Sequence, residues 1–207
     1  MDRVRSGRGA LGVAAACIAV LVASGCASTA TGGPTPGSTA ALEEAGPWAD
    51  DFGAALADDV SPFEARILAD GAVSSEEVEA AHDRVGRCLA DSGFGIDYDP
   101  DGGFELQSLD DRYPDDFFER SDPVLRSCER KSDEYVTYLF SETRRNPDRL
   151  DEATITVPCL RDTGLVGSEY TEQRWRADYE AGSFPFDETA DAAVQCRLDP
   201  LGLWRTP

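Results

Sequence analysis

The chain has 207 residues, 40 of them Asp or Glu against 19 Lys or Arg, for a formal net charge of −21 at neutral pH. So acidic a surface repels nucleic acid and anionic lipid head groups, which argues against either as a partner recognised through charge. The roughly 165 residues beyond the N-terminal region suffice for one domain with a real core.

The first residues, MDRVRSGRG, set Arg3, Arg5 and Arg8 ahead of an apolar run, ALGVAAACIAVLVASG. A basic start and about 16 apolar residues predict a secretory signal peptide over residues 1–25. The run falls short of the ~20 residues a spanning helix needs. It ends LVASGC, with small residues leading to Cys26. This resembles the lipobox of bacterial lipoproteins, whose cysteine is diacylated and becomes the mature N-terminus. The resemblance implies lipidation at Cys26, the lipid as the contact with the membrane, and display on the outer face of the cytoplasmic membrane. The chain departs from the family pattern in one respect: Ala23 stands three residues before the cysteine, where leucine is usual, and Leu21 lies two residues earlier. Ordinary secretion with cleavage near Gly25 remains the alternative. Residues 26–42, mostly Ala, Ser, Thr, Gly and Pro, read as a flexible tether.

The folded part, residues 43–207, is expected to be mainly helical. PWADDFGAALADD and SPFEARILAD read as short helices, the second with Ser61 as N-cap and Pro62 following. After a turn at Asp70-Gly71, SSEEVEAAHDRVGRCLADS opens with a capping box, Ser74 with Glu77. In GIDYDPDGGFELQS, Ile96 and Tyr98 alternate with aspartates, Phe104 and Leu106 with polar residues, around a Pro100-Asp101-Gly102 turn; this predicts a β-hairpin. The same text offers Asp97, Asp99 and Asp101 on alternate residues before Gly102, with Glu105 as a further oxygen, so a Ca²⁺ loop is the alternative. Pro114 followed by Asp115, Asp116 and Glu119 marks a helix start. SDPVLRSCERKSDEYVTYLFSETRR reads as one long helix with Leu125, Cys128, Tyr135 and Leu139 on one face. GSEYTEQRWRADYEAG reads as another, with Glu172, Arg176 and Glu180 at four-residue spacing.

One heptad occurs twice, CLADSGF at 88–94 and CLRDTGL at 159–165, with four identities. Each fits a helix end in which glycine takes the left-handed C′ position and a Leu/Phe or Leu/Leu pair closes the cap. Of the six cysteines, Cys17 lies in the leader and Cys26 at its end. The other four, in an exported chain, read as two disulfides with three possible connectivities. The repeat selects Cys88–Cys128 and Cys159–Cys196, giving two disulfide-closed helix–excursion–helix units at about 74–130 and 147–198. Cysteine pairs this far apart in sequence do not suit zinc. The helix–Asp-Gly–helix and C-L-x-D-x-G text resembles exported actinobacterial proteins, a resemblance that transfers no activity.

Chemistry is thin. His82 is the only histidine, on an Ala-rich helix face without a nucleophile motif around it, and reads as a surface residue. Among so many acids no carboxylate pair identifies a glycan hydrolase. Trp175 and Tyr179 lie four apart on a helix flanked by arginines, the residue types of interface anchors. The expected function is a non-catalytic binding or envelope-interaction module acting through Trp175 and Tyr179 on an unidentified envelope protein or ligand, with no cofactor. A calcium module is second and a cell-wall carboxylate hydrolase third.

Overall fold

The structure, a computed structural model, describes residues 42–100 and 102–205. The expected leader, Cys26, most of the expected tether and Asp101 lie outside the described residues. A 3-10 segment at Glu43–Trp48 leads into α1 (Ala49–Ala57) and α2 (Pro62–Ile67). Then follow α3 (Ser75–Ala90), the strands β1 (Phe94–Tyr98) and β2 (Phe104–Ser108), and α4 (Phe117–Ser132). The chain continues through α5 (Val136–Arg145), α6 (Glu152–Asp162), α7 (Glu172–Ala181) and α8 (Asp191–Leu198). The fold is mainly helical with one antiparallel hairpin, and its disulfides are Cys88–Cys128 and Cys159–Cys196.

Local signals account for most element ends. Ser61 Oγ accepts from the Glu64 amide, and the Ser74–Glu77 capping box closes in both directions. Gly71, at φ 80°, turns the chain between α2 and α3 and lies so close to the 3-10 segment that a Cβ there would sit 2.8 Å from the Ala45 Cβ. Both heptads end helices on glycines of positive φ, Gly93 and Gly164. The second makes both Schellman bonds, Gly164 N–H to the Arg161 carbonyl and Leu165 N–H to that of Leu160, each 3.0 Å. After the first, the chain passes directly into β1, which pairs with β2 in the register Ile96–Leu106, Asp97–Glu105, Tyr98–Phe104.

Three apolar clusters hold the elements. One packs Trp48, Phe52 and Leu68 against Val136 and Leu139 of α5. A second joins Val85 and Leu89 of α3 to Phe94, Leu106, Leu125 and Cys128. The third, around Ala153, Val157, Leu160, Tyr170, Trp175 and Cys196, belongs to the second disulfide-closed unit. Each fully buried Leu, Val or Phe contributes about 1.5–3 kcal/mol. The bridges span Cα separations of 5.7 and 5.6 Å, the ordinary disulfide range.

Two expectations need correction. The predicted single helix over 121–145 is two, broken at Asp133–Tyr135. Asp133 leaves helical geometry (φ −153°), and its carboxylate accepts from the Thr137 amide and hydroxyl at 2.9 Å, capping α5. The Tyr135 amide freed by the break donates to Glu64 Oε1 at 3.0 Å. The predicted helix over 167–182 begins only at Glu172, because Thr171 Oγ1 accepts from the Arg174 amide as N-cap.

Candidate functional site

Four helices, the 184–188 loop and Gly102 of the hairpin turn build a cleft of about 570 Å³, within the range of small-molecule sites. Helical spacing sets its walls. Tyr138, Glu142 and Arg145 lie at i, i+4 and i+7 on α5, Glu152, Thr156 and Leu160 at i, i+4 and i+8 on α6, and Trp175 and Tyr179 at i and i+4 on α7. Those intervals keep side chains on one helix face. The 184–188 loop adds Phe184, Phe186 and Glu188, and α8 adds Arg197.

The aromatic wall is continuous. Trp175 and Tyr179 stack at 5.1 Å between centroids, Phe184 lies 6.2 Å from Trp175, and Phe186 stacks on Phe184 at 5.2 Å. Trp175 is buried, whereas Tyr179 is 64% exposed and Tyr138 53%. Beneath lies an ionic knot. The buried Arg145 donates Nη1 and Nη2 to the Glu152 carboxylate at 2.8 and 2.5 Å, Nη1 to Glu142 at 3.3 Å, and Nε to the Arg197 carbonyl at 3.0 Å. Thr156 Oγ1 donates to Glu152 at 3.1 Å. The knot fastens α5 to α6 and α8, while Cys196, also in the lining, fixes α8 to α6 through its bridge. Among the described residues, Ser141, Glu188, the Arg197 guanidinium and the Tyr138 and Tyr179 hydroxyls have no hydrogen-bond partner, so the lining keeps both donors and acceptors uncommitted.

A second concavity, about 460 Å³, lies along α3 and β1. Here His82 is half-buried rather than a surface residue: its ring stacks on Tyr98 at 3.5 Å, and Nε2 lies 2.9 Å from Thr137 Oγ1 and 3.6 Å from Asp133 Oδ2. A neighbourhood of His, Thr and Asp invites comparison with a nucleophilic triad, but the carboxylate and hydroxyl meet the same ring nitrogen. A triad needs the carboxylate on the other one. Burial lowers the His82 pKa, pushes the Asp133 carboxyl up to about 6, and raises those of Glu64 and Glu129. Glu64 is fully buried, and its Oε2 has no partner among the described residues. None of these raised carboxylates lines the aromatic cleft.

Of the residues singled out in the sequence, Trp175 and Tyr179 come together in the cleft. Asp97 and Glu105 face one another across the hairpin, Asp97 accepting from Gln107 at 2.5 Å, and neither is among the residues that line the cleft. Among the described residues no set of three or more His, Cys, Asp or Glu is arranged to hold a metal ion. The Arg145–Glu152 pair, Phe184, Phe186 and Arg197 were not anticipated; SFPF at 183–186 carried the one visible signal, two aromatics around a proline. No protein-family model matches the chain, and neither a curated protein nor a solved structure matches it.

Proposed function

We propose that the protein is a non-catalytic binding module, displayed outside the cytoplasmic membrane on a lipid at Cys26, and that the aromatic cleft is its ligand site. The observation that carries this is the continuous Trp175–Tyr179–Phe184–Phe186 wall over a braced ionic floor. A ring as exposed as Tyr179 adds little to the core, yet presents a large rigid contact surface at small entropic cost. The two disulfides support an oxidising, extracytoplasmic setting. No helix among the described residues is long and apolar enough to cross a membrane. Binding is favoured over hydrolysis because both Glu142 and Glu152 are ion-paired to Arg145, which leaves Glu188 as the one carboxylate of the lining outside an ion pair among the described residues.

The test is amide chemical-shift mapping of the isotope-labelled protein against a mixture of small polar and aromatic fragments. Shifts concentrated at Ser141, Trp175, Tyr179 and Ala193 are expected. Shifts confined to other surfaces would sink the assignment.

A further inference from the structure

We propose that the cleft takes a neutral saccharide, binding it by stacking on the exposed ring of Tyr179, which Trp175 backs, and by hydrogen bonds from the uncommitted groups of the lining. The inference rests on the cleft being the ligand site and names what enters it.

Charge comes first. Three carboxylates (Glu142, Glu152, Glu188) and two guanidiniums (Arg145, Arg197) line the cleft, and Arg145 is consumed by Glu142 and Glu152. An anion would meet this slight acidic excess inside a strongly acidic molecule. A cation would meet Arg197, whose exposed guanidinium has no partner among the described residues. The balance suits an uncharged ligand.

Hydrogen-bonding capacity comes second. Glu188 accepts only and Arg197 donates only, while Ser141, Tyr138 and Tyr179 can do both. A purely apolar ligand would strip water from all five without replacing it. A ligand rich in hydroxyls, each both donor and acceptor, can satisfy this mixture. A capped peptide offers amides that pair best with a free strand edge, whereas most of the lining comes from helices whose backbone groups are mostly bonded internally.

Shape comes third. The C–H face of a pyranose is apolar and carries partial positive charge, so it lies flat against the negative face of an aromatic ring. The Trp175 and Tyr179 rings stack nearly parallel, at 20° between planes, so the buried Trp175 backs Tyr179, which leaves most of its surface open. The Arg145 knot and the Cys159–Cys196 bridge hold the surrounding helices in place before any ligand arrives. Such preorganisation lowers the entropy lost on binding.

The experiment titrates the mature protein, in a detergent without a sugar head group, with cellobiose, maltose and N,N′-diacetylchitobiose. Choline and a capped tripeptide serve as comparison probes, and cleft amide shifts and tryptophan fluorescence are read together. At least one disaccharide is expected to saturate shifts at Ser141, Trp175 and Ala193 with Kd about 1 mM or tighter. Tyr179→Ala should weaken it about tenfold or more, while Tyr113→Ala, also an exposed tyrosine but outside the cleft, leaves it unchanged. If no disaccharide moves those amides, or if Tyr179→Ala has no effect, the proposal is overturned. Should choline or the peptide move them where the sugars do not, only the saccharide assignment falls; should no probe move them, the cleft assignment falls with it.

Discussion

Asp133 stands where α3, α4 and α5 meet, and its carboxylate does two things that oppose each other. It caps α5 through the Thr137 amide, which favours the ionised form, yet its side chain is only 6% exposed, and burial wins, pushing its pKa up to about 6. Its neighbours are His82 from α3, Thr137 from α5, and the carboxylates Glu129 and Glu64, both also raised. A carboxyl whose pKa is higher folded than unfolded stabilises the fold below the unfolded value, and that contribution is lost as pH rises through the folded one. Asp133 alone should therefore cost the fold on the order of 1–3 kcal/mol between about pH 4 and pH 6. His82 has the opposite sign, since a lowered histidine gains stability with rising pH up to its unfolded value. Asp133→Asn cannot ionise and keeps an oxygen to accept from Thr137. In urea titrations across this range, the stability of the variant relative to the wild type should climb from pH 4 to pH 6 and then level off. A flat difference would show that the buried carboxyl is not perturbed.

The heptad repeat made both bridges legible because the features involved are local. A cysteine one residue ahead of the helix-closing leucine, and a glycine that must take positive φ, are set by a few neighbouring side chains. The break between α4 and α5 was only half legible: Asp133 caps Thr137 locally, but the Tyr135 amide that the break frees is taken up by Glu64, 71 positions away. The same distinction separates Trp175 and Tyr179, four apart on one helix, from Arg145 and Glu152, which meet across a loop. Each bridge closes a loop of about 40 residues, worth roughly 4 kcal/mol in the chain-entropy model. Because each lies within its own apolar cluster, the losses should be regional. Replacing Cys159 and Cys196 by alanine should strip amide-exchange protection from α7 and α8 while α3 and α4 keep theirs. Replacing Cys88 and Cys128 should do the reverse. Uniform loss of protection in both variants would mean that the two units do not open independently.

For the whole molecule, the cysteine pairing bears on where the chain is held. With Cys88–Cys128 and Cys159–Cys196 bridged, the four cysteines of the described residues are paired with one another, and of the rest of the sequence only Cys26 lies beyond the proposed leader. An odd thiol in an oxidising compartment invites wrong pairing, and acylation removes it. The acidity of the chain repels anionic head groups, so the proposed attachment to a bilayer would have to come from apolar contact. Each buried methylene adds about 0.8 kcal/mol, and stable anchoring takes two chains, which is what a diacylated cysteine supplies. In cells fed a tagged fatty acid, the wild-type chain should carry the label and stay with the membrane through a high-salt wash, which removes only electrostatic attachment. Cys26→Ser should lose the label. A wild-type chain that is unlabelled and recovered from the medium, with its N-terminus at or near Cys26, would instead establish ordinary secretion, and the tether would then be a bare tail.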